Sequence, residues 1–192
     1  MIYSTHEFSN IVARFHLDRK IRAKKNDKDF TIYPNNKRGF WAWCNELDSE
    51  QTQTLKSLRW IDPALKKAMK HVPCAVEFYR YVQWHNLAFT VTSDLQLPSF
   101  VFHYKDYSDR FNEVTDELID FLGMEKVVGH APKFIDDKVY SQYYSEEEKH
   151  AVAVFVKEFA TKATWQQVEH YLNDYLTLSK KKSVILGDAS WY

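Results

Sequence analysis

Residues 100 to 124, FVFHYKDYSDRFNEVTDELIDFLGM, set a β-rich run directly before an amphipathic helix whose two ends are marked. Behind Pro98, Phe100 and Phe102 alternate with Val101 and His103, the strongest strand signal in the chain. Ser108 is placed to N-cap the next segment, where Phe111, Val114, Leu118, Phe121 and Leu122 share one face before Gly123 supplies the stop. Strand, acid-bearing turn and helix make an α/β unit. Both faces of the strand carry bulky groups, the pattern of an interior strand, so it is expected at the centre of a sheet with few other strands.

The rest of the sequence reads as helix. The four glycines and five prolines are few for 192 residues, and aromatics make up 16%, which favours long helices over a turn-rich β-sandwich. A hydrophobic content of 45% is enough to bury a core, most simply as one domain spanning residues 1–192. Lys+Arg and Asp+Glu both number 26, so there is no basic field to draw in nucleic acid. No segment is apolar for long enough to be a signal peptide or a membrane span, so the chain reads, as given, as cytoplasmic. Cys44 and Cys74 lack metal-ligand spacing and are too few for a disulfide framework. A single bridge between them stays open, as does the redox compartment.

Along the chain, Phe8, Ile11, Val12, Phe15 and Leu17 fall near helical spacing and predict a helix ending in the basic run RKIRAKK, residues 19–25. Residues 26–39 read as a loop, and the following segment to Pro73 as two or three short helices, one starting at Asp62-Pro63. Val76, Tyr79, Val82, His85 or Asn86, and Phe89 recur at 3.6 spacing and predict a long helix from Ala75 to about Asp94. After a loop from Met124 to Tyr144, Ser145 and Glu148 form a capping box for a helix to about Thr161, and residues 164–178 continue helical. The tail, residues 179–192, is either a loose end or an added strand, with SVIL at 183–186 the internal candidate to pair with Phe100–Tyr104.

The stretch HYKDYSDRFNEVTDELIDFLGM resembles the Tyr-Glu-Asp-Leu region of P-loop sulfotransferases, in which a strand ends in that motif and a capped helix ends in Phe-Leu-Gly. EFYRYVQWHNLA and YYSEEEKHAVAVFVKEFA are similar to neighbouring helices of that family, and NIVARFH to the end of its 3′-phosphate-binding segment. The resemblance covers roughly residues 8–172. It implies an α/β sandwich around a parallel sheet, the donor 3′-phosphoadenosine 5′-phosphosulfate (PAPS), and transfer of a sulfuryl group to a hydroxyl or amine acceptor, carbohydrate hydroxyls among them. Many carbohydrate-directed relatives sit in the Golgi lumen behind an N-terminal anchor.

Two departures separate ancestry from activity. The family's 5′-phosphosulfate loop carries a glycine followed by Lys-Ser/Thr, and none of Gly39, Gly123, Gly129 and Gly187 introduces such a sequence. The arginine and serine that hold the 3′-phosphate, eight positions apart, fall on Thr5 and Ala13. Arg14, one residue on, is expected to point to another side of the helix. The resemblance therefore implies a mostly helical C-terminal portion of the domain, without the donor loop and N-terminally incomplete.

The candidate site residues each have a plainer reading. Tyr104 occupies the motif's tyrosine, which in the family packs near the adenine, but Lys105 replaces the glutamate, and a strand-end aromatic can simply cover the core. Glu77, Tyr81, Trp84 and His85 lie along one side of a helix and could line an acceptor pocket, with His85 or Glu77 as base. An aromatic stripe at that spacing is more often core. Glu147 and His150 form an E-x-x-H pair, but di-metal bundles need a second pair and two more glutamates, so no metal is expected. RKIRAKK could meet a sulfated or phosphorylated glycan, or be an exposed helix end. The expectation is a sulfotransferase-like chain, inactive by itself and needing a missing segment or self-association to cover its strand. The alternative is a non-catalytic relative acting in binding or assembly.

Overall fold

A computed structural model describes residues 2–5, 9–25, 33–57, 63–127 and 140–186. Phe8, Asp62, residues 26–32, most of the Met124–Tyr144 loop and residues 187–192 of the tail lie outside the described residues. The chain is mostly helical with few strands. Strand β1 (Ile2–Thr5) leads to α1 (Ser9–Lys24), followed by α2 (Lys37–Ser57), α3 (Pro63–Met69), α4 (Ala75–Asp94) and strand β2 (Phe100–His103). Then come α5 (Asp106–Asp109), α6 (Phe111–Leu122), α7 (Glu146–Phe159) and α8 (Lys162–Leu186).

The core forms where α1, α2, α4, α7 and α8 meet. Phe15, Phe40, Phe155, Val12, Val82, Val152 and Val156 are almost wholly excluded from water. The Phe15 and Phe40 rings meet edge-on at 5.6 Å, and Phe40 also packs edge-on against Tyr143 and Tyr144. Of the apolar positions read on α1, Ile11, Val12 and Phe15 are buried, but Leu17 is exposed, because two residues past Phe15 it lies on the opposite side of the helix.

Several boundaries follow from local chemistry. Asn36 caps α2 by accepting the Gly39 N–H at 3.0 Å, so the helix begins inside the segment read as loop. A Cβ at Gly39 would lie 1.9 Å from the Pro34 carbonyl oxygen, so only glycine lets the helix pass that backbone. In place of two or three short helices, α2 runs 21 residues and α3 is a separate short helix with Pro63 in its first position. At α7 both capping-box bonds form, Ser145 N–H to Glu148 and Glu148 N–H to Ser145 Oγ. Gly123 adopts φ 63° at the end of α6, the left-handed stop expected of it.

The start of α4 is held from α2. Cys74 takes a left-handed φ of 53° at the N-cap and offers no side-chain cap, because its sulfur is joined to Cys44. One turn further along α2, Asp48 accepts the N–H groups of Ala75 and Val76 at 3.2 and 3.0 Å and caps the helix from outside. At the far end of the same layer, Asn86 of α4 donates to the Phe159 carbonyl and accepts the Thr161 N–H, both at 2.8 Å, clamping the α7–α8 turn.

Three expectations around the strand are corrected. β2 is not central: among the described residues the sheet has two strands, β1 and β2, paired in parallel with Thr5 opposite His103. SVIL is not a strand. Residues 183–186 complete the last turn of α8, since nothing in that run breaks the helix that begins at Lys162. Ser108 does not cap α6. It falls inside the one-turn α5, and Arg110 at φ −133° interrupts the chain before α6 starts, with no side-chain cap.

Candidate functional site

The side of α4 that carries Glu77, Tyr81, Trp84 and His85 opens onto a cavity of about 390 Å³, and all four residues line it. Asn10, Ile11 and Arg14 of α1 close one side. Val156 of α7 and Val168, Tyr171 and Leu172 of α8 close the other. The stripe is therefore both core and wall: Glu77 and His85 are buried, whereas Trp84 is 53% exposed at the rim.

Glu77 is a carboxylate with almost no access to water, and it is held by two cations. Its Oε1 accepts from Arg80 Nη1 at 3.0 Å, and its Oε2 pairs with Arg14 Nη1. The Arg14 and Arg80 side chains stay half exposed while that of Glu77 is 3% exposed. Partial burial pulls the Arg14 guanidinium below the ordinary arginine value, Arg80 pulling the same way and Asp18 opposing. With both oxygens engaged, Glu77 anchors the arginines. His85 Nδ1 lies 2.8 Å from the Tyr81 carbonyl, which can only accept, so the ring donates there and a neutral ring carries its lone pair on Nε2. Of the two base candidates, His85 has the tautomer suited to taking a proton.

A second cluster lies at the carboxyl end of β2. His103 Nδ1 is 3.0 Å from the Tyr171 hydroxyl, and the His103 and His170 rings meet edge-on at 4.5 Å. Both histidines are held below the ordinary value of 6.5, burial being the main cause for each. His170 adds to the shift at His103, and Asp106 opposes it at both. Tyr171 also lines the cavity, so it joins the strand end to the α4 wall.

The remaining candidates fall elsewhere. Tyr104 is exposed in the turn after β2 and is not among the residues lining the cavity. Ala13 is exposed on α1. Arg14, one residue on, turns to the cavity, consistent with its pointing to a different side of the helix. Thr5 is placed only by its backbone pairing with His103. His150 Nδ1 donates to the Tyr175 carbonyl at 2.8 Å and ties α7 to α8, while Glu147 is exposed. Among the described residues no three His, Cys, Asp or Glu side chains are grouped to hold a metal ion. Within RKIRAKK, Arg19 donates to the Tyr33 carbonyl and Arg22 pairs with Asp18 and Glu46, so part of that charge serves packing.

The sequence reading passed over Arg80 and Tyr171. Arg80 sits three residues after Glu77, a spacing at which opposite charges meet on a helix, and could have been read. Arg14 and Tyr171 come from other elements, and no local pattern ties them to α4. Among the described residues no helix is long and apolar enough to cross a membrane. No protein-family model, curated protein or solved structure matches this chain.

Proposed function

We propose that the chain is a sulfotransferase-like protein, related to enzymes that move a sulfuryl group from PAPS to a hydroxyl or amine, and that it retains an acceptor-side cavity without transferring sulfate by itself. The observation that carries this reading is the cavity wall. The α4 segment EFYRYVQWHNLA, one of those that resemble the family, turns Glu77, Tyr81, Trp84 and His85 onto one open-mouthed cavity. The parallel pairing of β1 and β2 adds support, because it sets Thr5 and His103 side by side at the strands' carboxyl ends, where parallel α/β sheets bind ligands. On this reading the helices and the two strands are part of the family's α/β sandwich.

The residues present do not fit the donor. The described helices and the sequence as a whole offer no Gly-Lys-Ser/Thr loop for the 5′-phosphosulfate, and Thr5 and Ala13 replace the charged and hydroxyl contacts to the 3′-phosphate. Each charge-assisted bond contributes about 1.5–3 kcal/mol, so losing several weakens binding by orders of magnitude. The Cys44–Cys74 bridge suits a chain matured in an oxidising compartment, such as the lumen inhabited by many carbohydrate-directed relatives.

The test is a radiolabelled sulfate-transfer assay with PAPS and a panel of hydroxyl and amine acceptors, paired with calorimetry of 3′-phosphoadenosine 5′-phosphate. The expected result is no transfer and affinity weaker than micromolar. Measurable transfer by this chain alone, or micromolar binding, overturns the claim. A second reading, a non-catalytic binding or assembly module, is favoured by the engagement of both Glu77 oxygens, which suits a fixed binding site better than a proton-transfer site.

A further inference from the structure

Among the described residues that line the cavity, the charges do not balance. Two guanidinium groups, Arg14 and Arg80, converge on one carboxylate, Glu77, which leaves one positive charge at the cavity's edge. Asp18 also draws on Arg14 but does not line the cavity, and its Oδ2 is shared with Arg22 Nε and Trp43 Nε1, each at 3.0 Å. The walls from α7 and α8 add Val156, Val168, Tyr171 and Leu172, none of them charged. If the triad were only a structural clamp, one arginine would suffice to neutralise the buried carboxylate, and a second would gain little for the loss of its hydration.

The shape agrees with the charge. Each guanidinium carries five N–H donors in a planar fork, and the bond to Glu77 uses one nitrogen of each, which leaves further donors, on two half-exposed side chains, suited to a two-oxygen head group. Beside them stand the rings of Tyr81, Trp84 and Tyr171, and cavities of roughly 300–1,000 Å³ with apolar walls and a few polar groups are the usual seats of small organic ligands. We infer that this cavity binds a small aromatic monoanion, its carboxylate or sulfonate-type head on Arg14 and Arg80 and its ring against Trp84 and Tyr81. The inference rests on the cavity residues alone and stands or falls apart from the sulfotransferase reading.

Calorimetric titration of the whole chain with 2-naphthalenesulfonate, 2-naphthoate, neutral 2-naphthol and inorganic sulfate tests it. Both aromatic anions are expected to bind at least tenfold tighter than 2-naphthol and than sulfate, the former comparison isolating the head and the latter the ring. Arg80→Gln should weaken both anions about tenfold and leave 2-naphthol unchanged. Trp84→Ala, at the exposed rim, should weaken the anions and leave sulfate unchanged. Glu77→Gln is the informative opposite: removing the only carboxylate of the triad should tighten anion binding several-fold, which a purely structural triad would not produce. Equal binding of 2-naphthalenesulfonate and 2-naphthol overturns the inference. So does an unchanged or weakened affinity in a folded Glu77→Gln protein, and if that variant does not fold, an unchanged affinity in Arg80→Gln does the same.

Discussion

The two halves of α4 lead into different kinds of packing. Its first half buries Ala75, Val76, Glu77, Phe78, Val82 and His85, is bonded to α2 through Cys74 and Asp48, and forms the cavity wall. Beyond His85 the helix buries only Thr92 and hands over to β2, all four of whose residues are half-buried, and to α6, which buries only Val114. The first region is closed by contacts from its own chain. Among the described residues the second is a thin layer, a parallel pair of strands with α6 against Phe100 and α8 meeting the strand end at His103. Stability should therefore reside around Phe15 and Phe40, and the strand layer should contribute little.

Truncation of one ring in each region tests that difference most severely. Phe40→Ala removes a fully buried ring touching Phe15, Tyr143 and Tyr144, and is expected to cost about 3–5 kcal/mol in denaturant unfolding. Phe121→Ala removes a half-buried ring that meets Phe100 at 5.6 Å and should cost about 1 kcal/mol. Equal costs would mean that the strand layer is as firmly closed as the helical core, and the comparison would fail.

A smaller effect sharpens the first region. The Cys44–Cys74 bond closes a loop with a sequence separation of 30, and constraining such a loop contributes roughly 2–4 kcal/mol. Cys44→Ala with Cys74→Ala should lower the unfolding midpoint accordingly. It should also weaken any ligand bound beside Glu77, three residues from the released N-cap. Loss of stability without any change in aromatic-anion affinity would show that Asp48 alone fixes the start of α4.

How much of this was legible depended on whether the signal was local. The α4 limits, the Ser145–Glu148 box, the Gly123 stop and β2 could all be read, because each is written within a few consecutive residues. The cavity wall was half legible: Glu77, Tyr81, Trp84 and His85 share a helical face, and only tertiary packing could decide whether that face met core or space. Arg14 and Tyr171 were out of reach, since they join segments that share no pattern, whereas Cys44–Cys74 was the one bridge two cysteines allow and only its redox state stayed open. The strand pairing went wrong for a related reason. Ile2–Thr5 is only four residues long and carries no turn signal, whereas SVIL has a β-branched composition that helix continuation overrode.

The smallest expected effect probes the strand layer through its histidines. His103 and His170 are both held below 6.5, mainly by burial, so the folded state prefers them neutral while the unfolded chain protonates them at the ordinary value. The unfolded state then binds more protons over that interval, and stability falls as pH drops from about 6.5 through the lowered folded values. Both rings are partly exposed, so solvent screens the effect, and the loss between pH 7 and pH 5 should be under about 1 kcal/mol. Asp48 moves the other way: burial raises its carboxyl despite the Ala75 and Val76 bonds, so its contribution is present in acid and lost as pH rises through the raised value. The histidine part is separated by substitution. His103→Gln with His170→Gln should flatten the slope below pH 6.5 and leave Phe40→Ala as costly as before. A slope unchanged by the double substitution would move the acid sensitivity out of the strand layer and into the helical core.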